Sequence, residues 1–271
     1  MIPESKYAIS EYMAKEPDNL LIKSIYKMHC ESVDYHFFLP DGYPEIMLSS
    51  APLLVLNANG MVLKPVNSLF WGQNRFCGWL KPRQPFSAVG LKFQPWVLSK
   101  ISKNTSFLVD TVKDAKTLFS YQFLKQIDKI NTVNWEIEDN KANLISVLCE
   151  MFQDHFGENY MVKSNFCSTV ELLKKKEGSA KIHDILPVYR QSIRSLEVDF
   201  RKYVGITPKE FQRLIRIRKA GRDLINGNDI LGTALKAGYT DHSHFTRDFK
   251  SFSLKTPKQF VNEKVILLSE I

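Results

Sequence analysis

The sequence predicts an α+β chain, with an N-terminal β-rich domain, helical connectors, and a C-terminal all-α domain in which one helical module is written twice. Three observations predict it. Phe200-Arg-Lys-Tyr-Val-Gly-Ile-Thr-Pro-Lys-Glu-Phe211 returns 49 positions later as Phe249-Lys-Ser-Phe-Ser-Leu-Lys-Thr-Pro-Lys-Gln-Phe260, and the same offset relates Leu196 to Phe245 and Leu186 to Leu235. From Cys30 to about Phe107, short apolar runs alternate with turn residues, as strands do. The charge is local: of 37 basic and 29 acidic residues, 17 and 9 fall in 178–264, leaving 20 of each elsewhere, so the whole net charge of +8 sits in the repeat.

In the front half, residues 35–39 read as a strand closed by the Pro40-Asp41-Gly42 turn, and 45–48 as the next strand. Residues 53–56 and 61–63 flank Asn59-Gly60, a hairpin signal. Strands at 70–72 and 88–93 follow, and the chain turns helical near 95–99. Residues 46–63 carry no charge over 18 positions, but Pro52, Asn57, Asn59 and Gly60 interrupt them, so two strands explain the run better than a membrane span. Residues 1–19 are studded with Glu, Lys and Asp and lack the apolar centre of a signal peptide, which predicts a cytoplasmic protein with no membrane partner. Cys30, Cys77, Cys149 and Cys167 are scattered without a Cys-x-x-Cys pair, as reduced thiols are, and form no zinc knuckle. Trp71, Phe76, Trp79, Phe86, Phe93 and Trp96 read as core aromatics before they read as a ligand pocket.

Helical patterning resumes over 111–130 and 139–152, where Leu144, Ile145, Leu148, Met151 and Phe152 make an apolar face assigned to intrachain core ahead of a dimer surface. A further helix over 162–176 turns Val170 and Leu173 inward, and Lys174 to Ser179 reads as a solvated helix end and turn. The organisation is then 1–110 β-rich sensory or dimerisation domain, 111–157 helical connector, 158–264 helical repeat domain, and 265–271 tail.

Each copy of the repeat has the grammar of a helix-turn-helix. In the second, Asp229 caps a short helix carrying Ile230, Leu231, Ala234 and Leu235, Gly238 supplies the turn, and Asp241 caps a helix whose Phe245 and Phe249 face inward. That leaves His242, Ser243, Thr246 and Arg247 on the outer face. In the first, 192–203 forms the matching helix, with Leu196 and Phe200 inward, Arg194, Glu197, Val198 and Arg201 outward, and Gly205 as its C-cap. A long helix over 208–226 joins the copies, with Phe211, Leu214, Ile217, Gly221 and Leu224 on an apolar face and Arg213, Arg216, Arg218, Lys219 and Arg222 on an outer one; Asn226-Gly227-Asn228 stops it. Localised positive charge over such a module is the footprint expected for a phosphate backbone.

At these residues the chain resembles the DNA-binding domain of the AraC/XylS family of bacterial transcription regulators: Ala234-Leu235, Gly238-Tyr239, Asp241-x-Ser243-x-Phe245-x-Arg247-x-Phe249 and Thr256-Pro257 carry the likeness. It implies two reading helices entering successive major-groove segments on one face of promoter DNA, RNA polymerase as a partner, and gene activation. The first copy departs from the pattern, with Val198 where Arg is usual, Glu197 and Asp199 beside it, and Tyr189 at the turn's customary small position; Leu254 stands where the first copy has Gly205. The front half resembles the N-terminal domain of a subset of these regulators, on His36, Pro40-Asp41-Gly42 and Gly90-x-Lys92-Phe93-x-Pro95. In that family such a domain often receives a small molecule or mediates dimerisation, which implies a small-molecule effector or a homodimer.

The base-contacting residues are then Arg194, Glu197 and Val198 in the first copy and His242, Ser243, His244, Thr246 and Arg247 in the second. Arg bonds a guanine edge, Glu accepts from a cytosine amino group, and Val touches a thymine methyl. Glu197 and Asp199 read equally as surface charges pairing with Arg194 or Lys202. Arg190, Gln191, Thr240, Arg201 and Lys250 are placed for phosphate contacts. No catalytic triad, catalytic cysteine or phosphate loop is discernible, which predicts a protein that is not an enzyme and holds no cofactor or metal. Two other classes remain. A metal-dependent barrel enzyme would draw on His29, Glu31, His36 and Glu45, and a protein-interaction scaffold would keep the repeats without DNA.

Overall fold

The computed structural model describes residues 7–16, 20–57, 62–157 and 162–262. Strands β1 (Tyr7–Met13), β2 (Ile22–Cys30), β7 (Phe86–Phe93), β4 (Glu45–Asn57), β5 (Val62–Trp71) and β8 (Val112–Asp114) lie side by side in that order, all antiparallel. β3 (His36–Phe38) pairs with β6 (Gly78–Pro82), and β6 pairs with the second half of β4. The sheet begins well before residue 30: β2 is buried on both faces, with Ile22 and Ile25 in the core shared with the helices and Tyr26, Met28 and Cys30 in a separate core, and a register shift between Ile22 and Ser24 breaks the period-two alternation.

The uncharged run falls in two strands as expected, β4 and the start of β5, but the stretches 45–48 and 53–56, expected as separate strands, are one. β4 continues through Pro52, pairing with β7 over Glu45 to Ser49 and with β6 over Leu53 to Asn57. Proline has no N–H to donate, and the ladder changes partner and register across it. The Asn59-Gly60 turn lies outside the described residues. No helix among the described residues is long and apolar enough to cross a membrane.

Downstream, a 3-10 turn (Pro95–Val97) leads into α1 (Leu98–Ile101). The expected helix at 111–130 is broken twice: β8 ends at Asp114, whose carboxylate caps a 3-10 turn, and Ser120 caps α2 (Tyr121–Asp128). α3 (Glu138–Phe156) and α4 (Ser164–Lys175) follow, then α5 (Ile182–Tyr189), α6 (Ile193–Tyr203), α7 (Pro208–Ile225), α8 (Ile230–Lys236), α9 (His242–Ser253) and α10 (Pro257–Asn262). The recurring Thr-Pro-Lys-Glu/Gln has a physical cause. Thr207 Oγ1 accepts from the Glu210 N–H while the Glu210 carboxylate accepts from the Thr207 N–H, and Thr256 and Gln259 make the same reciprocal pair.

The two halves share their core. Phe93, Trp96 and Phe123 of the first half run without a break through Phe152 and Phe166 to Phe200 and Phe211, and the α3 stripe is consumed there. A second cluster joins Phe37, Leu39 and Cys77 to Leu214, Ile217, Leu224, Phe249 and Phe260. Arg75 bonds Asp110 on its own side and Glu210 of α7 across the boundary, at 2.6 and 2.8 Å. Three expectations are corrected by this packing. Lys174 is not solvated: its amine is buried 3.1 Å from the centre of the Tyr43 ring, and burial holds its pKa well below the usual lysine range. Of the α7 cations, Arg213, Arg216, Arg218 and Lys219 are half-buried because other elements cover that face, and Arg222 is exposed. Leu231 and Leu235 of α8 are mostly exposed, since the short helix packs through Thr233 and Ala234.

Leu254 keeps the backbone shape of its glycine counterpart. Both stand in the left-handed region, Leu254 at φ 63 and Gly205 at φ 85, ending α9 and α6. The conformation costs a branched side chain about 1 kcal/mol or more. Leu254→Gly is therefore expected to raise stability by about 0.5–1 kcal/mol in urea titration. Gly205→Leu reverses the sign and costs more than about 2 kcal/mol, because its Cβ would lie 2.7 Å from Val109 Cγ2.

Candidate nucleic-acid interface

Ser192 begins α6 and Asp241 begins α9, each side chain accepting backbone N–H bonds: Ser195 to Ser192 at 3.1 Å, and Ser243 and His244 to Asp241 at 2.9 and 3.1 Å. The backbone N–H of Ser243 leads the contacts that hold the Asp241 carboxyl below its usual range. Beyond the caps, spacing at i, i+4 and i+7 makes one exposed stripe on each helix, Arg194-Val198-Arg201 on α6 and Ser243-Arg247-Lys250 on α9. The stripes are related by the 49-residue repeat, so Val198 occupies in one the place of Arg247 in the other.

What holds each stripe in place was not legible as a site. Asp199 is not a surface charge paired with Arg194 or Lys202; it is buried, accepting from Tyr189 Oη at 2.8 Å and from Lys163 Nζ at 3.0 Å. Its repeat counterpart Asp248 accepts from Tyr239 Oη and from Arg213 Nε, the latter at 2.6 Å. Each module therefore ties a tyrosine at or just beyond the end of its first helix to an aspartate in the middle of its second, with a cation from outside the pair, Lys163 just before α4 or Arg213 of α7. The repeated Asp at offset 49, each preceded by a Tyr, is the sequence signal for it.

Tyr189 does not occupy the turn. It closes α5, fully buried, and the left-handed residue is Arg190 at φ 59, opposite Gly238 at φ 80 in the second copy. One residue separates Arg190 from its cap and two separate Gly238 from its own, so the repeat slips by one inside the turn.

Among the expected base contacts, Arg194, Val198, His242, Ser243, His244 and Arg247 are exposed, and Glu197 is half-buried with Arg201 3.8 Å away. Thr246 departs from the expected outer face: its hydroxyl is buried, on a position about 60° round the helix from the inward Phe249. Arg190, Gln191, Thr240, Arg201 and Lys250 are all exposed. Ile193, not anticipated, is also exposed at the start of α6. In the front half, His29 bonds Glu31 and Ser87 while His36 is buried beside Cys30, and no group of three or more His, Cys, Asp or Glu placed to hold a metal occurs among the described residues.

Residues 189–263 match the family model of a helix-turn-helix domain, of the AraC type. The uncharacterized HTH-type transcriptional regulator YbfI of Bacillus subtilis is 31% identical over 100 residues, covering 37% of this chain and 29% of that protein. The chain thus spans under a third of that relative's length. The crystal structure of ToxT from Vibrio cholerae superposes with a TM-score of 0.53 at 12% identity, covering 97% of this chain and 99% of that one. ToxT with bound unsaturated fatty acid matches with a TM-score of 0.51 at 13% identity, covering 94% of each chain. The two-part architecture, sheet then helices, is that of ToxT.

The aspartates carry a stability prediction. Asp199→Ala and Asp248→Ala each remove bonds to a tyrosine and a cation and are expected to cost about 1–3 kcal/mol in urea titration. Arg247→Ala, on the exposed stripe, should change stability by less than about 0.5 kcal/mol. Equal costs at Asp248 and Arg247 would remove the aspartate from this structural role.

Proposed function

Because residues 189–263 form an AraC-type helix-turn-helix domain on a chain with the fold of ToxT, we propose that this protein is a sequence-specific DNA-binding transcription regulator. It inserts α6 and α9 into successive major-groove segments of a promoter. The observation that carries the reading is the pair of exposed, repeat-related stripes on two reading helices, each buttressed by an equivalent tyrosine–aspartate tie. In this reading Arg194, Glu197 and Val198 meet bases from the first helix, and His242, Ser243, His244 and Arg247 from the second, while Arg190, Gln191, Thr240, Arg201 and Lys250 hold phosphates. Thr246, with its hydroxyl buried, drops out of the polar readers. Val198 gives the first helix an apolar centre suited to a thymine methyl, and Arg247 gives the second a centre suited to guanine.

The division of labour we propose is a sensory half over 1–110, with β8 extending its sheet into the connector at 111–157, and a DNA-binding domain over 158–264. RNA polymerase is the partner at the promoter, gene activation the outcome, and a small effector the control, as the ligand-bound ToxT structures favour by analogy. The regulator itself is not an enzyme and acts in the cytoplasm. A homodimer, if formed, uses a surface other than the α3 stripe, which is already filled.

Gel-shift titration against promoter fragments tests the reading. Arg247→Ala should lose about 1–3 kcal/mol on the best operator and relax preference at one base pair. Lys250→Ala should weaken all sequences alike and lower the salt slope by about one. Val198→Arg should shift preference toward guanine at the position read by the first helix. A chain that shows no sequence preference above its salt-dependent background is instead the protein-interaction scaffold.

A further inference from the structure

Cations enclosed by this fold come with partners: Arg75 has Asp110 and Glu210, Lys92 has Asp41, and Arg213 has Asp248. Lys174 of α4 is different. Its amine is buried and meets no hydrogen-bond acceptor. What surrounds it is aromatic, with the centre of the Tyr43 ring at 3.1 Å and that of Phe211 at 5.9 Å. Tyr43 belongs to the segment after β3 and Phe211 to α7, so the amine sits in the seam where the sheet half meets two helices of the repeat half. The charged groups facing it are Glu171 of its own helix, Asp41 of the same segment as Tyr43, Lys23 of β2 and Arg218 of α7. Two anions and two cations nearly cancel, and Asp41 is already held by Lys92 at 3.0 Å. Burial therefore decides, and an ammonium against a ring face regains only part of the hydration it gives up. Neighbouring backbones are tightly apposed: a Cβ on Gly42 would stand 3.0 Å from the Phe211 ring, and one on Gly178, just past α4, 2.3 Å from the Gln212 carbonyl oxygen of α7.

We propose that Lys174 is a proton-operated lock on this seam: with its amine neutral, Tyr43 stays seated on α4 and α7, and with its amine charged, the ring is displaced and the seam admits water. A neutral amine fits the site because it can point an N–H at a ring face and needs no counter-ion. A charged one needs acceptors that the site does not hold. The two states are the same chain one proton apart. Tyr43 takes no part in the transfer, because burial pushes its phenol far above the range over which the amine titrates. Since Tyr43 comes from the sheet half and Phe211 from the repeat half, the proton changes how one half is seated on the other. Its effect on DNA rests on the transcription-regulator reading, whereas the opening of the seam does not.

Burial holds the folded Lys174 amine well below the usual lysine range, so as the pH falls from about 10 the unfolded chain takes up this proton before the folded one does. The contribution of Lys174 to stability is therefore full at high pH and is lost as the pH falls toward the folded value. Nuclear magnetic resonance of the full chain with isotope-labelled lysine, from about pH 6 to about pH 10, reads the proton directly and without DNA. Lys174→Met assigns the signal. One lysine is expected to titrate well below the others, with the Tyr43 and Phe211 ring signals shifting on the same curve. When it is charged, amides of α4 around it should exchange hydrogen about tenfold faster than in Lys174→Met at the same pH. Lys174→Met should also unfold several degrees higher than the wild-type chain at about pH 7, a difference that shrinks toward about pH 10. Lys174→Arg, which keeps its charge throughout, should hold the seam open at every pH. A Lys174 signal that titrates with the rest, that keeps one form across the range, or that titrates without moving Tyr43 and Phe211 overturns the proposal. The titration uses the wild-type chain, so it stands even where Lys174→Arg does not fold.

Discussion

The packing of α7 is the constraint on which the rest depends. One helix of 18 residues joins the two reading modules and also receives the sheet domain. Its apolar residues are divided between two cores, Phe211 in the one that reaches back to the sheet and Leu214, Ile217, Ala220 and Leu224 in the one shared with α9 and α10. A helix covered on so many sides has little room for free charge, yet its sequence is rich in arginine. Each half-buried cation is therefore matched locally: Arg213 with Asp248, Lys219 with Glu177, Arg216 against the Tyr239 ring, and Arg218 facing Asp41. Burying a charge without such a partner would cost several kcal/mol, roughly the whole margin of a small domain.

This matching changes what the basic excess means. Counted along the sequence, the repeat carries the entire net charge, and α7 is its densest part. In the folded chain much of the α7 charge is spent on internal pairs, whereas Arg190, Arg194, Arg201, Arg247 and Lys250 stand exposed on or beside the reading helices. The positive potential available to a phosphate backbone is thus concentrated where the stripes are. Position along a sequence gave the right total and the wrong address, because a linear count does not distinguish a paired guanidinium from a free one.

The helical half was legible because its signals are local. Caps at Ser192, Thr207, Asp229 and Asp241, the prolines after the threonines, and the three-to-four spacing of phenylalanines each act within a turn or two of chain. The sheet half was legible only in part because its determinants are distant. Whether Pro52 ends a strand or lets it change partner depends on β6 and β7, some thirty to forty residues away. The burial of Lys174 depends on Tyr43, and that of Asp199 on Lys163 and Tyr189. A charged residue reads as solvent-facing until its partner is known, and both misreadings have that single origin.

The same distant contacts join the sheet to the helical repeat. The segment after β3 packs on α7, with Gly42 against Phe211 and Leu39 against Gly221, and Arg75 fastens the loop after β5 to the capping box of α7. Cys77 adds a backbone bond to the Phe252 carbonyl at the end of α9, and Thr105 bonds the Arg201 carbonyl near the end of α6. The sheet domain thus grips both reading helices at their C-terminal ends while their N-terminal residues remain open. Since packed interiors shift between discrete arrangements more readily than they stretch, these contacts couple the sheet to α7 and to the C-terminal ends of α6 and α9. In the proposed reading, two helices that enter one duplex together are sensitive to their relative angle, which makes the boundary between sheet and helices, rather than the exposed stripes, the natural place for control.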